Sequence, residues 1–191
     1  MSEDAELVSR IRNGDLDAFE TLYHRYKRQL YQTALAITGD TGSAEEILQD
    51  CFVRAYGAMG RVDTSRPLAP WLYRIAVNLS YNWINRHRHW PLSLDTLIEH
   101  LIANPASSPE HAAEGSEVRE CVWQAVASLG FKQRSAIVLF YVQGLSLQEI
   151  AYILDCPVGT VKSRLHYACK ALRKKLSEDR RLTGEVAYGT Q

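Results

Sequence analysis

The chain has 191 residues, and its 22 Lys and Arg side chains balance 22 Asp and Glu side chains. This length allows one domain or two small ones. The longest apolar run, Ala136–Val142, is far too short to cross a bilayer. The first residues, MSEDAE, lack the apolar core of a signal peptide, so we expect a soluble protein of the reducing cytoplasm. Cys51, Cys156 and Cys169 lie on or beside apolar stripes without C-x-x-C spacing, which predicts buried, reduced thiols.

Helical periodicity dominates the N-terminal half of the chain. Apolar residues recur at helical spacing over residues 19–37 and stop at Gly39. Ser43 and Glu46 fit a capping box that would start the next helix. A further apolar stripe covers residues 72–83, and no alternating β pattern of useful length is present.

The segment between Asp63 and Asp95 contains no acidic residue, and its arginines and histidines are interleaved with aromatic residues. The aromatic members are Trp71, Tyr73, Tyr81, Trp83 and Trp90. Cations follow a phosphate backbone and aromatic rings stack on unpaired bases, so this segment favours single-stranded or melted DNA. The alternative is that Trp71 and Trp83 belong to the core and the arginines only solubilise the surface. Asn78 and Asn82 lie one helical turn apart, where two amides can read base edges.

The helical pattern stops around Pro91 and resumes near Val118. Residues 93–131 carry one Arg and six acidic side chains, as expected of a solvated tether followed by a new domain. We therefore predict an all-α protein of two small helical domains, 1–92 and 116–177. A flexible acidic linker, 93–115, joins them, and residues 178–191 form a frayed tail.

Residues 145–176 predict a helix-turn-helix. Ser146 and Glu149 fit a capping box, residues 155–157 break the helix, and Pro157 suits the start of the next one. Apolar residues form a stripe along the second helix, namely Val161, Leu165, Ala168, Leu172 and Leu176. Between Pro157 and Leu176 the charged residues are all basic: Lys162, Arg164, Lys170, Arg173, Lys174 and Lys175. The alternative is an amphipathic helical hairpin whose basic face is only solvated. The cap, the break and the basic charge occur together, and this combination favours binding to duplex DNA.

The sequence carries no pattern typical of catalysis. Ser163 and His166 lie one turn apart without a third orienting residue, and there is no phosphate-binding loop and no HExxH. His87 and His89 lack partners at metal-ligand spacing. We expect no catalytic residue, no metal, no cofactor and no small-molecule substrate, and therefore not an enzyme.

Four segments, in order, resemble a known family: AFETLYHRY, SAEEILQDCFVRAY, PWLYRIAVNLSYNWINRHRH and LSLQEIAYILDCPVGTVKSRL. The chain resembles a bacterial RNA polymerase sigma factor of the extracytoplasmic-function (ECF) subfamily, within the sigma-70 family. The resemblance implies that region 2 lies within 1–92 and region 4 within 116–177. It also implies a linker that threads through the polymerase towards the RNA exit path.

The resemblance implies roles for three groups of residues. Core polymerase binding falls to Glu46, Gln49 and Asp50, which also avoid the apolar stripe of their own helix. Recognition and melting of the minus-10 element fall to Trp71, Tyr73, Arg74, Asn78 and Asn82. Recognition of the minus-35 element falls to Thr160, Lys162, Ser163, Arg164 and His166. Two positions depart from the family pattern: Val62 stands near a usual aromatic residue, and Phe140 stands where a basic residue is common.

The resemblance further implies a promoter-specificity subunit that binds core RNA polymerase and both duplex and melted promoter DNA in a stress response. An anti-sigma factor, often membrane-anchored, would hold it inactive at the inner membrane. Without polymerase, the two domains could fold together and hide both DNA surfaces. Two other hypotheses remain: a stand-alone helix-turn-helix regulator that binds operator DNA as a dimer, and, more weakly, a helical enzyme.

Overall fold

The computed structural model describes residues 3–87 and 118–179 apart from Arg119, and every regular element in those ranges is helical. The N-terminal elements are α1 (Glu3–Arg12), α2 (Leu16–Thr38), α3 (Thr41–Ala58), a 3-10 turn (Met59–Arg61) and α4 (Leu68–Arg86). The C-terminal elements are α5 (residues 120–127), α6 (Phe131–Ile137), a π-helical turn (Val138–Val142), α7 (Leu147–Ile153) and α8 (Val158–Glu178). This confirms the all-α prediction. The predicted linker, 93–115, lies outside the described residues.

The N-terminal helices bury a leucine-rich core in which α2, α3 and α4 pack on one another. Leu22, Leu30 and Leu72 are completely or almost completely inaccessible to solvent. The Asp15 side chain caps α2 by accepting from the Ala18 backbone N–H at 3.1 Å. Gly39 ends the helix at φ 73°, a left-handed conformation that glycine adopts without a steric penalty. The predicted end of this helix at Gly39 is thus confirmed.

The predicted start of α3 is wrong by three residues. The N-cap is Asp40, whose carboxylate accepts from the Ser43 backbone N–H at 2.7 Å and also contacts the Ser43 hydroxyl. The helix therefore begins at Thr41, and Ser43 lies inside its first turn. Asp is among the strongest N-cap residues, so it displaces the Ser43–Glu46 box that the spacing suggested.

The predicted helix-turn-helix is confirmed. Ser146 and Glu149 form a complete capping box at the start of α7, with each side chain bonded to the other's backbone N–H. The chain turns through Asp155, which adopts a positive φ of 48°, and α8 begins after Pro157. Ile150, Ile153 and Val161 hold α7 and α8 in the same buried cluster.

The two halves of the chain also pack against each other. The apolar cluster of the N-terminal helices continues through Val138 and Leu139 into α7 and α8. Arg134 of α6 is buried and donates to the carbonyl of Ile37, at the end of α2, at 2.6 Å. The same guanidinium donates to the carbonyls of Ala127 and Leu129. A cation from the C-terminal half therefore satisfies buried backbone carbonyls at or just after helix ends in both halves.

The cysteines differ in their surroundings. Cys51 and Cys121 are buried, whereas Cys156 and Cys169 are only half-buried, and none of the four forms a disulfide. The expectation of a buried thiol is therefore right for Cys51 and wrong for Cys156, which lies in the turn between α7 and α8, and for Cys169. Burial raises the pKa of Cys51 to about 12, so this thiol stays protonated and unreactive at neutral pH.

Within the described ranges, no helix has the length and apolar character needed to span a membrane.

Candidate nucleic-acid interface

Helix α8 has one buried face and one polar, cationic face. Val161 and Ala168 are fully buried, which fixes the orientation of the helix. The opposite side chains are exposed, namely Lys162, Ser163, His166 and Lys170. Thr160 is half-buried in the first turn. An exposed polar face at the N-terminal end of such a helix has the form of a recognition helix that enters the major groove.

Arg164 differs from its neighbours on α8 because it faces the N-terminal half of the protein. It is half-buried, and its Nη1 lies 3.4 Å from the Cys156 Sγ. A cleft of about 270 Å³ between the two halves is lined by Arg164 together with Arg74 and Asn78 of α4. Residues predicted for the minus-35 and minus-10 elements thus meet in this cleft.

Helix α4 carries the residues predicted to read the minus-10 element, and two of them are engaged inside the molecule. Tyr73 is buried, and its hydroxyl donates to the Gln143 Oε1 at 2.9 Å. Burial raises the pKa of Tyr73 to about 12, so the phenol stays neutral. Arg74 donates from Nη1 to the Tyr152 carbonyl at 2.9 Å, and its Nη2 lies 3.3 Å from the Asp155 carboxylate.

The other minus-10 candidates are more accessible. Asn78 and Asn82 are exposed one turn apart. Trp71 is half-buried and lines a cavity of about 470 Å³ with Val62, Glu149 and Tyr152. The aromatic side chains of this segment are therefore divided: Tyr73 belongs to the core, whereas Trp71 and Trp83, which the alternative interpretation placed there, pack only partly against it. Tyr81 remains exposed and lies 4.9 Å from the Phe131 ring, while Trp90 lies outside the described residues.

Glu46, Gln49 and Asp50 form an exposed polar face on α3. Ile47, Cys51 and Phe52, on the other side of the helix, are buried. The apolar continuation of this surface was not apparent from the sequence. Val53 is 72% exposed and Tyr56 is 46% exposed, one and two turns further along α3. A surface with polar residues beside exposed apolar ones is suited to a protein partner.

Four residues at the junction of the two halves received no functional role from the sequence: Arg134, Gln143, Tyr152 and Asp155. Each of them contacts the N-terminal half through a hydrogen bond, an ion pair or a ring contact. Tyr152 and Asp155 lie within the segment LSLQEIAYILDCPVGTVKSRL, but no sequence pattern links any of the four residues to the N-terminal half. In the described part of the chain, no group of three or more His, Cys, Asp and Glu side chains could hold a metal ion.

Comparison with known proteins finds a family match in each half of the chain. The chain matches the model of Sigma-70 region 2 over residues 22–89 and that of Sigma-70, region 4 over residues 119–172. It is 36% identical over 179 residues to the ECF RNA polymerase sigma factor SigW of Bacillus subtilis (strain 168). The aligned region covers 90% of this chain and 95% of SigW. The chain belongs to the ECF RNA polymerase sigma factors. The sigma-E factor of Escherichia coli (strain K12) is 34% identical over 180 residues, covering 91% and 94% of the two chains.

Two solved structures share the fold of this sigma factor over most of its length. CnrH, in complex with the cytosolic domain of CnrY, superposes with a TM-score of 0.70 at 25% identity and covers 93% of this chain and 99% of that chain. The sigma factor RpoE of Bartonella quintana, in complex with the anti-sigma factor NepR, gives a TM-score of 0.65 at 24% identity over 85% and 98% of the two chains. The exposed α3 and α4 residues lie in the region 2 match, and the exposed face of α8 lies in the region 4 match.

Proposed function

We propose that this sigma factor binds core RNA polymerase and directs initiation at a dedicated set of promoters. Helix α8 reads the minus-35 duplex through Thr160, Lys162, Ser163, Arg164 and His166. Helix α4 reads and melts the minus-10 element through Trp71, Tyr73, Arg74, Asn78 and Asn82. One observation carries this proposal: Lys162, Ser163 and His166 are exposed together on a helix whose opposite face is buried, within the region 4 match.

Glu46, Gln49 and Asp50 form the proposed polymerase-binding surface. Their exposure on α3 is independent of the DNA surfaces, because they lie on a different helix from either one. Tyr56 extends this surface with an aromatic side chain that is 46% exposed, and tyrosine is among the residues that contribute most to binding at protein interfaces when they become buried.

The domain boundaries also form part of the proposal. Residues 1–92 act as region 2, 93–115 as an acidic linker through the polymerase, 116–177 as region 4, and 178–191 as a tail. The sigma factor carries out no covalent chemistry itself. It works by binding and by holding DNA open, with the polymerase as the catalyst.

An anti-sigma factor is the proposed regulator. Support comes from RpoE of Bartonella quintana, whose solved structure is a complex with the anti-sigma factor NepR. The structure of CnrH, which covers 93% of this chain, likewise contains a second protein, the cytosolic domain of CnrY. We place the sigma factor in the bacterial cytoplasm, held at the inner membrane when its anti-sigma factor is membrane-anchored. Co-purification of a co-expressed inhibitor that blocks transcription tests this part.

Gel filtration with bacterial core RNA polymerase tests the main proposal. The wild-type sigma factor should co-elute with core polymerase, and the Gln49→Ala/Asp50→Ala variant should not. The Asp17→Ala/Gln29→Ala variant is a matched control, because it removes the same side-chain types from exposed positions on α2. It should co-elute like the wild type.

Failure of the wild type to co-elute, with no inhibitor bound, would contradict the proposal. Sequence-specific duplex binding by the same polymerase-free protein would then favour the stand-alone regulator. Equal loss of co-elution in both double variants would instead remove the assignment of the α3 surface.

A further inference from the structure

Helices α4 and α7 form a seam between the two halves of the protein, and its centre is apolar. Val77 of α4 is 2% exposed, and Ile153 of α7 is 1% exposed. Both side chains line the cleft described above, and both belong to the continuous apolar cluster. Burial of these side chains removes apolar surface from water, which favours the closed arrangement.

Polar contacts surround this apolar centre and satisfy groups on α4. Tyr73 donates its hydroxyl hydrogen to Gln143, whose amide in turn donates to the Gln29 carbonyl at 3.4 Å. The Arg74 guanidinium bonds to the Tyr152 carbonyl and lies 5.2 Å from the centre of the Tyr152 ring. Tyr73 and Arg74 thus have partners within the chain in place of DNA.

The Asp155 carboxylate occupies an anion position next to Arg74. A guanidinium binds carboxylate and phosphate oxygens through the same donor geometry. Asp155 and a DNA phosphate at this site would therefore compete for one cation. The Asp155 side chain is 83% exposed and that of Arg74 is 33% exposed, so water screens the ion pair and it contributes little. The apolar centre and the packing of the Arg74 guanidinium on the Tyr152 ring hold the seam closed, and the ion pair blocks the site.

Closure covers the DNA surfaces unequally, which differs from the expectation that both would be hidden. Lys162, Ser163 and His166 of α8 remain exposed, and only Arg164 of that group faces the seam. The α3 surface is exposed as well. The closed chain therefore leaves a minus-35 duplex and the polymerase free to bind, whereas the minus-10 strand meets a face of α4 on which Tyr73 and Arg74 are already engaged.

We infer that α7 is an intramolecular inhibitor, which occupies the part of the minus-10 face of α4 around Arg74 while the minus-35 face of α8 stays open. This inference rests on the proposed function, because it takes the α4 residues to bind melted DNA. The DNA strand and α7 then bind the same face of α4 in alternation. Binding of the strand is weakened by the fraction of molecules that are closed.

The Tyr152→Ala/Asp155→Asn variant should open the seam. It removes the ring and the carboxylate that contact Arg74, and both side chains are at least partly exposed, so the helices can keep their cores. Asn suits position 155 because it tolerates the positive φ there. The matched control is Tyr141→Ala/Glu178→Gln, which makes the same kinds of change at exposed positions outside the seam.

Two measurements on the full chain decide the matter. Small-angle X-ray scattering reports the radius of gyration, which should increase in the opened variant only. Fluorescence anisotropy with a labelled random-sequence single-stranded 20-mer should show roughly three- to tenfold tighter binding by the opened variant. Binding to the duplex of the same random sequence should change by less than about twofold, because α8 is already open.

An opened variant that stays as compact as the wild type and binds the single strand no more tightly would overturn the inference. Equal gains for single strand and duplex would also overturn it, since loss of the Asp155 charge would then act directly on DNA. An expanded chain without a gain in single-strand binding would remove the inhibitory role. Core polymerase co-elution depends on α3, so failure of the proposed function is detected separately.

Discussion

At the scale of single residues, Lys162 and Arg164 show that neighbours on one helix can differ in how accessible they are to DNA. Lys162 is exposed, whereas Arg164 is half-buried against Cys156 at the seam. A phosphate or base can reach the Lys162 ammonium without any rearrangement. Arg164 must first leave its contact with the thiol, so Lys162 is the cleaner residue for testing the minus-35 assignment.

Lys162→Ala should weaken binding to a duplex that the wild-type protein selects from a random library. Loss of a phosphate contact should lower affinity for all sequences and flatten the salt dependence by about one unit of slope. Loss of a base contact should cost about 1–3 kcal/mol and relax preference at one position. Anisotropy titrations at several salt concentrations separate these cases.

Lys175→Ala is the control, because it removes the same exposed charge from the last turns of α8. Its titrations should match those of the wild type closely. Unchanged binding by Lys162→Ala, or an equal loss in the Lys175 variant, would show that the N-terminal turns of α8 are not the recognition surface.

Arg134 is a residue whose role only the tertiary structure reveals. Desolvation by burial lowers the pKa of its guanidinium, and three backbone carbonyls accept its hydrogen bonds. Charge-assisted bonds to carbonyls make a buried cation tolerable. From the sequence, Arg134 resembles any other basic residue of the C-terminal half. The carbonyls that accept its hydrogen bonds, those of Ile37, Ala127 and Leu129, lie outside its own helix.

At the scale of elements, the beginning of α3 illustrates how neighbouring capping residues compete. Asp40 accepts from the Ser43 backbone N–H, and this bond decides where the helix starts. At α7 only Ser146 is in position, so the same capping-box pattern predicts the helix start correctly. A sequence motif for a cap is therefore reliable where no stronger cap precedes it.

Asp40→Ala should lower the free energy of unfolding by about 1 kcal/mol, because the first turn of α3 loses its cap. Urea denaturation followed by circular dichroism measures this change. Glu46→Ala tests the displaced capping box and should leave the free energy of unfolding nearly unchanged, since Glu46 is exposed. A greater loss of stability in the Glu46 variant than in the Asp40 variant would restore the capping box.

Elements were predictable where local periodicity decides them. The end of α2 at Gly39, the polar face of α8 and the exposure of Glu46, Gln49 and Asp50 all follow from spacing along one helix. The burial of Tyr73 does not follow, because its partner, Gln143, lies in the other half of the chain. A helix pattern shows which residues share a face but not what that face contacts.

At the scale of the whole molecule, the sequence allowed the two halves to pack together but did not predict which residues meet where they do. Arg74 and Asp155 were identified as a nucleic-acid residue and a helix break, respectively, and the structure brings them within 3.3 Å of each other. Opposite charges far apart in a sequence carry no sign of such pairing. The arrangement gives one chain three surfaces with different accessibility: α3 and α8 open, and α4 covered in part.

Transcription of genomic DNA in vitro tests the central claim most directly. Core RNA polymerase from the source bacterium is incubated with its genomic DNA, with and without this sigma factor, and the 5′ ends of the transcripts are sequenced. We predict a set of discrete 5′ ends that require the sigma factor and that share upstream minus-10 and minus-35 sequences. The same 5′ ends with core polymerase alone, or none that depend on the added protein, would contradict the claim that this chain selects promoters.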